Sequence, residues 1–561
     1  MNAETGDRAV GRSELVFLPL GGAGEIGMNL NLYGYGPPER RRWLVVDLGI
    51  TFASGEPPGV TVLMPDPAYL EERREDLEGI LLTHAHEDHL GAVAYLWPRL
   101  RCPVYATRFA LAVLSRKLAE AGIEDEVPVV EVPLAGRFHI GPFDIELVTL
   151  THSIPEPNAV ALRTPCGTVL HTGDWKLDPE PVVGERADVA ALERIGDEGV
   201  LALVCDSTNA LDAGSSGAEG QLYASLLEIV KDCPERVAVT AFASNIARLQ
   251  TLGAVAAATG RRLVLAGASL KRNVIAAREC GYLTDLAAPL DEAAGAALPR
   301  HQALLVCTGS QGEGNAALAR LASGTHPRLV LEDGDTVIFS ARVIPGHELG
   351  VGRLQNTLLR RGCRVVTHRE AHVHVSGHPA QDELREMYRL VRPRIAVPVH
   401  GELRHLRRHA AIARECGVSE VVTVENGGLV RLAPDPAAVV ETVPSGRLAL
   451  EGGRLVRVDG NLVRERTKAI YRGVVFATVA VNNGGGLLKD PQLSTLGLVE
   501  DGEETVNTRL GAAVANAIEN IPSSARGDED VLREAVRIAI RRTFRELFEK
   551  KPLTYVHVVR C

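Results

Sequence analysis

Short apolar runs that end at a histidine or an aspartate recur along the chain. One run, Gly79 to Leu82, leads into Thr83-His84-Ala85-His86-Glu87-Asp88-His89, and a second apolar stretch follows. This order predicts a buried strand, a tight loop and the start of a helix. Further apolar runs are predicted strands that end at Asp47, His152, Asp174 and His400. Since open α/β folds hold their sites at the carboxyl ends of strands, these side chains are candidates for one site.

The loop from His84 to His89 has the composition of a metal site. Three imidazoles and two carboxylates so close together are costly unless a cation organises them. His84 and His86 are two residues apart on an extended segment, so both side chains face one ion. Asp88 and His89 follow the turn and suit a second ion nearby. The alternative, a histidine-rich surface loop, fits poorly directly after an apolar strand.

Glycines follow the first predicted strand, Leu15 to Leu20. The segment Gly21 to Gly27 is compatible with a phosphate cradle of the dinucleotide-binding type. It passes, however, into Met28 to Tyr33, which alternates like a strand, and this favours a hairpin. Asp47, at the end of the next strand, either caps a turn or supports the metal ligands.

Composition limits the class of protein. A chain of 561 residues predicts three or four domains. The formal net charge of -10 argues against nucleic-acid binding except through a local basic groove. Nine cysteines without a Cys-x-x-Cys pair are typical of free thiols in a reducing cytoplasm. The polar residues 1–13 and the lack of a long apolar window predict no signal peptide and no membrane span, so we expect a cytoplasmic protein.

A block of alternating strands and helices follows Asp206. Strands are predicted at 236–240, 262–266, 303–307 and 335–340, with a helix over 246–258. The alternation predicts a second α/β domain, with a parallel sheet. After it comes His374-Val375-Ser376-Gly377-His378, whose backbone N–H groups, hydroxyl and imidazoles are suited to binding a phosphate.

The last part of the chain predicts a small α+β module. A proline-containing connector over 434–444 and short strands and turns over 448–466 come first. A strand at 473–481, a helix at 528–550 and a final strand at 553–559 follow. The apolar face of the helix is predicted to be its core side, with the residues Val531, Ala535, Ile538, Ala539, Phe544 and Phe548.

The order of these motifs resembles the metallo-β-lactamase superfamily. The string HAHEDH, then His152, then Gly-Asp at Asp174 carry the resemblance. It implies an α/β fold, an αββα sandwich of two mixed sheets with a dinuclear metal site along one edge. By this resemblance one metal is held by His84, His86 and His152, and the other by Asp88, His89 and His400. Asp174 then bridges the two metals, and Asp47 supports the ligand loop.

The inserted block resembles the β-CASP branch of that superfamily, and longer motifs resemble the ribonuclease J family. These motifs are LGGAGEIGMN, HTGDWKLD, DSTNA, FASNIARLQ, CTGSQGE, IPGHE, HVSGHP and PVHGE. The resemblance implies catalytic roles for Asp88, Asp174, Asp206 and His378. It also implies substrate binding by His374, Val375, Ser376, Gly377 and His378. Two departures from the family pattern, in Gly267-Ala268-Ser269 and at His347, concern RNA contacts.

The same resemblance implies a function. It is 5′-to-3′ exonuclease action on single-stranded RNA with a 5′-monophosphate, plus some endonuclease activity, in RNA maturation and mRNA decay. The expected cofactors are two divalent ions, Zn²⁺ first, with Mn²⁺ or Mg²⁺ as a possible activator. The expected partners are a second copy or three further copies of the chain and proteins of RNA decay, with no membrane.

Three alternatives to an RNA nuclease stay open. A β-CASP DNA nuclease has the same motifs. A thioesterase or lactonase with the same metal core needs neither the insert nor the HVSGHP segment. A scaffold that has lost activity is disfavoured because every ligand position is filled.

Several candidate residues have a structural alternative. His378 either contacts the scissile phosphate or only positions its loop beside Asp206 or Asp174. His374 either contacts a ligand or packs. Phe52 either stacks a base or belongs to the core. The basic side chains either line an RNA groove or are solvated, and they are Arg248, Lys271, Arg272, Arg404, Arg407 and Arg408.

Five segments are predicted. They are the first part of the metallo-β-lactamase domain, 1–207; the β-CASP domain, 208–370; the return segment of the first domain, 371–432; a linker with short strands, 433–466; and a C-terminal α+β oligomerisation domain, 467–561.

Overall fold

The computed structural model describes residues 12–53, 57–344, 346–500 and 504–561. Two compact units divide these residues. The larger unit holds 12–53 and Val62–Leu448, and the smaller holds 57–61 and Ala449–Cys561. Most of the predicted polar leader, residues 1–11, and Pro345 of the IPGHE motif lie outside the described residues.

The elements that precede the insert belong to the larger unit. Its strands here are β1 (Glu14–Gly21), β2 (Ala23–Gly24), β3 (Leu30–Gly36), β4 (Arg42–Leu48), β5 (Thr51–Phe52), β6 (Val62–Pro65), β7 (Leu77–Leu81), β8 (Val104–Ala106), β9 (Val129–Glu131), β10 (Arg137–Ile140), β11 (Phe143–Thr149), β12 (Asn158–Thr164), β13 (Gly167–His171) and β14 (Ala202–Asp206). Its helices here are α1 (Ala68–Glu71), α2 (Glu87–Leu90), α3 (Val93–Leu100), α4 (Arg108–Ala121) and α5 (Val189–Glu198).

The insert and the segments after it continue the larger unit. The insert contains α6 (Leu222–Lys231), β15 (Val237–Thr240), α7 (Ile246–Ala258), β16 (Arg262–Ala266), α8 (Ala268–Glu279), α9 (Glu292–Ala296), β17 (Ala303–Cys307), α10 (Ala317–Ser323), β18 (Thr336–Phe339), α11 (Glu348–Arg360) and β19 (Arg364–Val366). The chain then forms α12 (Gln381–Val391), β20 (Ile395–Val399), β21 (Gly401–Glu402), α13 (Leu403–Glu415), β22 (Glu420–Val421), β23 (Gly428–Ala433) and β24 (Ala438–Thr442).

Two mixed sheets form the centre of the larger unit. The first has the order β24-β23-β1-β3-β4-β7-β8-β9, and the second has the order β10-β11-β12-β13-β14-β20-β22. β1 and β3 pair antiparallel, which confirms the predicted hairpin around the early glycines. In the second sheet the edge toward β10 is antiparallel, whereas β13, β14, β20 and β22 run parallel. Strand β14 therefore lies between β13, which precedes the insert in the sequence, and β20, which follows it.

The two sheets share one apolar core. Phe17 and Val46 of the first sheet pack in one buried cluster with Leu147 and Val204 of the second. On the far side of the second sheet, α5, α12 and α13 cover a second cluster. On the first sheet, α2 contacts β4 and α4 contacts β9. The expected αββα sandwich is thus confirmed.

The insert folds around its own parallel sheet. Its strand order is β16-β17-β15-β18-β19, and every neighbouring pair is parallel. The strands are short and almost wholly apolar, as expected for a sheet that is covered on both faces. The predicted helix over 246–258 has the predicted bounds. The expectation of a parallel α/β insert is confirmed.

The smaller unit is an α+β fold. Its elements are β25 (Arg447–Glu451, which begins in the larger unit), β26 (Arg454–Arg457), α14 (Asn461–Arg472), β27 (Val474–Val481), β28 (Gln492–Leu496), α15 (Glu504–Glu519), α16 (Glu529–Phe548) and β29 (Leu553–Arg560). A three-stranded sheet has the order β28-β27-β29, with α15 and α16 packed on one face through Val475, Leu510 and Leu532. Phe476 and Tyr555 stack on the opposite, exposed face.

Three predictions about the last part of the chain are wrong. The connector at 434–444 contains β24, which pairs with β23 and extends the first sheet. Residues from Asn461 onward form α14, where short strands and turns were expected. On α16, Val531 and Ile538 are exposed, and the buried residues are Leu532, Val536, Ile540, Thr543 and Phe544. No helix in the described part of the chain is long and apolar enough to cross a membrane.

Candidate metal centre and phosphate-binding loop

Three histidines and one aspartate form the first cluster. His84 and His86 follow β7, His152 follows β11, and Asp174 follows β13. One ligand atom from each of the four lies within 4.8 Å of the others. His86 Nδ1 is 3.1 Å from His84 Nε2 and 3.0 Å from His152 Nε2. Nitrogens converge in this way when they are arranged to face a common cation.

A second cluster shares Asp174 with the first. It contains Asp88, His89 and His400 together with Asp174. His89 Nε2 is 3.2 Å from Asp174 Oδ2, and His400 Nδ1 is 3.1 Å from Asp174 Oδ1. His400 Nε2 is 3.3 Å from Asp88 Oδ2. Asp174 Oδ2 is also 3.8 Å from His84 Nε2, so this oxygen lies near histidines of both clusters.

Asp47 supports the second cluster from behind. Its backbone has φ +68°, and its Oδ2 is 2.7 Å from His89 Nδ1. The same carboxylate accepts hydrogen bonds from the backbone N–H and the hydroxyl of Thr83, at 2.8 Å each. A carboxylate on one ring nitrogen orients the imidazole and leaves the other nitrogen for a metal. The geometry therefore agrees with the supporting alternative for Asp47.

His378 and Asp206 meet beside Asp174. His378 Nδ1 is 2.8 Å from Asp206 Oδ2 and 3.8 Å from Asp174 Oδ2. Asp206, His378, His400 and Asp174 form a third group of possible ligands. The side chain of His378 is 22% exposed, whereas those of Asp174 and Asp206 are buried. His378 is thus the member of this group that a substrate can reach.

Burial and mutual charge divide the protonation states of the site. Burial lowers the pKa of His86 to about 4, and burial holds the pKa of His84 and His152 well below the usual histidine value. Burial opposes ionisation of Asp88 and Asp174, but neighbouring imidazoles hold the pKa of both carboxyls well below the usual range. Burial opposes protonation of His89 and His400, but the carboxylates around them hold the pKa of both imidazoles well above the usual value. A divalent cation in the second cluster would replace these protons.

The donor set fits two divalent ions. Asp174 Oδ1 and His400 Nε2 are buried without a hydrogen bond of good geometry. Their nearest polar neighbours, 3.1 and 3.3 Å away, do not satisfy them with a well-aligned hydrogen bond, and a cation at this place would. Imidazole with carboxylate suits zinc, and the shared aspartate suits two ions. The described residues therefore provide places for two metals.

The segment His374 to His378 passes over the first cluster. The carbonyl oxygen of Gly377 is 2.6 Å from His152 Nδ1. A Cβ at position 377 would lie 2.6 Å from His152 Cε1, so the segment approaches the ring more closely than an alanine allows. Val375 is buried. His374 is also largely buried, its Nδ1 has no hydrogen-bond partner, and burial holds its pKa well below the usual value. The charged groups that act on its ring are Arg248, His368, Arg342 and Lys176, and none of them belongs to the ligand clusters.

Asn209 and Thr208 complete the site, and the sequence interpretation missed both. Asn209 Nδ2 donates to Ser376 Oγ at 2.7 Å and to the carbonyl oxygen of His378 at 3.0 Å. Thr208 Oγ1 donates to Asp206 Oδ1 at 2.7 Å. The signal was present, because both residues lie within three positions of Asp206 in the DSTN string. Asn29, whose Nδ2 donates to the carbonyl oxygen of Asp88 at 3.0 Å, was missed in the same way.

Most of the basic candidates for an RNA groove pair with acidic side chains. Arg248 is fully buried and pairs with Glu219, which excludes both alternatives for this residue, the RNA groove and the solvated face. Lys271 pairs with Glu292, and Arg272 with Glu120. Two of the three candidates on α13 also pair with acids, Arg404 with Glu402 and Arg408 with Glu415. Phe52 is more than half exposed, which excludes the core alternative.

Family models match the chain in four consecutive stretches. They are the metallo-beta-lactamase superfamily (39–237), the ribonuclease J beta-CASP domain (234–358), the Zn-dependent metallo-hydrolase RNA specificity domain (363–424) and the ribonuclease J C-terminal domain (461–561). Ribonuclease J of Sinorhizobium meliloti is 44% identical over 98% of this chain and 97% of its own length. The chain belongs to the ribonuclease J family.

Other members of the ribonuclease J family are also similar over nearly the whole chain. Ribonuclease J of Corynebacterium glutamicum is 36% identical over 96% of this chain and 75% of its own length. Ribonuclease J of Mycolicibacterium smegmatis is 36% identical over 96% of both chains. The family resemblance inferred from the motifs is confirmed. The chain is therefore an enzyme of a metallo-hydrolase family, with clusters able to bind metal.

Proposed function

We propose that this chain is a metal-dependent ribonuclease that hydrolyses phosphodiester bonds of single-stranded RNA. It acts from the 5′ end toward the 3′ end, prefers a 5′-monophosphate and has additional endonuclease activity. The observation that carries the proposal is the direct contact of the loop His374 to His378 with the ligand clusters. Gly377 contacts His152, and His378 contacts Asp206, at 2.6 and 2.8 Å. A phosphate bound by this loop would lie beside the metals.

The proposed ligands divide as the clusters do. His84, His86 and His152 hold one ion, Asp88, His89 and His400 hold the other, and Asp174 is shared. Two bound divalent ions, zinc first, with manganese or magnesium as activator, would activate water and neutralise charge on the phosphoryl oxygens. In the hydrolysis, water adds to phosphorus and the bond to the 3′-oxygen breaks. The 3′-oxygen takes up a proton, and the product carries a 5′-phosphate.

The chain's own residues orient the substrate. Asp206 fixes the ring of His378 through Nδ1, which leaves the other ring nitrogen for the scissile phosphate. Ser376 Oγ accepts hydrogen bonds from Asn209 and from the backbone N–H of His378, so its own proton is free for a phosphate oxygen. Asp47 keeps His89 in place. Each role is a proposal that rests on these contacts.

The decisive experiment compares three labelled substrates. They are a 5′-monophosphorylated single-stranded RNA, its 5′-triphosphorylated copy and the DNA of the same sequence. Wild type is compared with a His86→Ala/Asp174→Ala variant and with His139→Ala/Asp144→Ala. The last pair is a histidine and aspartate 3.9 Å apart at the surface, outside the three ligand clusters, and serves as the matched control.

The proposal expects early release of labelled mononucleotide from the monophosphorylated RNA, in wild type and control but not in the cluster variant. Internal fragments without mononucleotide would make the enzyme chiefly an endonuclease. Equal degradation of DNA would reduce the assignment to a general nuclease. No cleavage of any polymer would contradict the proposal and favour a small-ester hydrolase.

We also propose that the chain works in the cytoplasm as a homodimer or homotetramer, with RNA-decay proteins as further partners. The exposed Phe476 and Tyr555 on the three-stranded sheet support self-association, since stacked aromatic side chains are enriched in interfaces. Light scattering on the full chain checks the assembly. A monomer at micromolar concentration would contradict it.

A further inference from the structure

A buried network of charged side chains begins two residues after Asp174. Lys176, Asp178, Glu219 and Arg248 are all almost inaccessible to solvent. Lys176 Nζ is 2.8 Å from Asp178 Oδ2, and the same oxygen accepts the backbone N–H of Glu219 at 2.9 Å. Glu219 then binds Arg248 through both carboxylate oxygens, at 2.6 and 3.0 Å. The four formal charges cancel within the network.

Arg248, at one end of this network, contacts the backbone just before the loop His374 to His378. Arg248 Nη1 donates to the carbonyl oxygen of Ser340 at 2.8 Å and to that of Val373 at 3.3 Å. Ser340 Oγ donates to the carbonyl oxygen of Val373 at 2.6 Å. Val373 directly precedes His374. Arg248 on α7 and Ser340 after β18 thus bind the backbone at Val373, where the polypeptide leaves the insert.

Lys176, at the other end of the network, binds a segment that packs against the same loop. Lys176 Nζ donates to the carbonyl oxygen of Gly217 at 3.0 Å. The backbone of Gly217 lies against Val375, since a Cβ there would be 3.1 Å from Val375 Cγ1. The loop is therefore held at Val373 through Arg248 and packed at Val375 against the segment that Lys176 binds.

Burying four charges is a costly way to stabilise a fold. A buried ion pair often stabilises no better than apolar side chains of equal volume, whereas its geometry is far more specific. Nε and Nη2 of Arg248 bind the carboxylate of Glu219, and Nη1 binds two carbonyl groups. A lysine ammonium group cannot make this planar set of contacts. A network of this kind is suited to fixing the position of the loop.

We propose that Lys176, Asp178, Glu219 and Arg248 are positioning residues that set the loop His374 to His378 against Asp174. The inference rests on the proposed function, because it assigns the network a part in holding the substrate phosphate at the metals. None of the four touches the substrate. Their effect passes through Val373 and Val375 to the loop.

The test compares Arg248→Met and Arg248→Lys with Arg261→Met in the full chain. Arg261 is the matched control because it is also buried in the insert and donates to backbone carbonyl groups, those of Cys233 and Glu235. KM and kcat are measured on the monophosphorylated RNA, together with bound metal and the melting temperature. Both Met variants are expected to melt earlier than wild type.

The proposal expects Arg248→Met to raise KM at least tenfold above that of Arg261→Met, with metal content unchanged. Arg248→Lys keeps the charge beside Glu219 and is expected to melt closer to wild type while KM stays raised. If Arg248→Met fails to fold, the Lys variant gives the same comparison with Arg261→Met.

Equal KM values in Arg248→Met and Arg261→Met would overturn the positioning role. A KM of Arg248→Lys equal to that of wild type would also overturn it. Failure of the proposed function looks different, because wild type itself would then cleave no RNA.

Discussion

At the residue scale, the contact between Gly377 and His152 leaves no room for a side chain. An alanine Cβ at position 377 would lie 2.6 Å from the ring, although the backbone there is not in the left-handed region. Either the ring or the loop must therefore move by several tenths of an ångström. Since the ring faces the proposed metal and the loop the proposed phosphate, such a shift disturbs both.

We expect Gly377→Ala to lower kcat/KM by at least about tenfold, since misplacing catalytic groups by about 1 Å costs about 100-fold. Steady-state cleavage of the monophosphorylated RNA measures the loss. Gly352→Ala is the control, because position 352 lies within α11 with nothing near the added methyl group. Unchanged kinetics in Gly377→Ala would mean that the loop tolerates displacement.

The ligand candidates were predictable one by one, but the residues that hold them were not. Each candidate stands where an apolar strand ends, and the structure brings all seven together. In the sequence, nothing distinguishes Arg248 from an arginine on the exposed side of a helix. Its burial depends on Glu219 and on the carbonyl groups of Ser340 and Val373, which only the folded insert brings close. Sequence periodicity contains no information about such distant partners.

At the element scale, α16 shows where apolar periodicity misleads. Apolar residues occur on both sides of the helix, and the sequence favoured the side of Val531 and Ile538. The structure buries Leu532, Val536 and Ile540 against α15 and β27. The choice between the two faces depends on α15, which was not predicted. A helix face cannot be assigned securely before its packing partners are known.

This difference can be measured with two single substitutions. Leu532 is fully buried and Ile538 is 53% exposed. We expect Leu532→Ala to destabilise the smaller unit by about 2 to 5 kcal/mol through lost burial and a cavity. Ile538→Ala, the matched exposed position, is expected to cost about 0.5 kcal/mol or less.

Hydrogen exchange of the full chain, followed over 504–560, measures the loss of protection in each variant. Equal effects of the two substitutions would contradict the observed orientation of α16. A larger effect of Ile538→Ala would favour the orientation that the sequence suggested.

At the scale of the whole molecule, the proposed metal site would couple metal binding to folding. The ligands come from segments far apart in the sequence, so the unfolded chain has no preformed site. A ligand that binds only the folded state stabilises it by about 4 kcal/mol at a free concentration of 1,000 times its Kd. Metal ions bound at the proposed ligands would therefore stabilise the larger unit.

We expect a chelator to abolish cleavage and to lower the melting temperature, and added zinc to restore both. Differential scanning calorimetry and the RNA assay check the two effects on one sample. The His86→Ala/Asp174→Ala variant is the control, since its melting should not respond to chelator. A wild type whose melting temperature is also unaffected by chelator would contradict the coupling.

The position of β20 beside β14 also has a consequence for biosynthesis. The ring of His400 contacts Thr208, which precedes it by 192 residues, and the register pairs Asp206 with Val399. A nascent chain therefore exposes the earlier ligands long before it can close the site. For a nuclease made on a ribosome, this order delays the activity of each new chain until translation has passed residue 400.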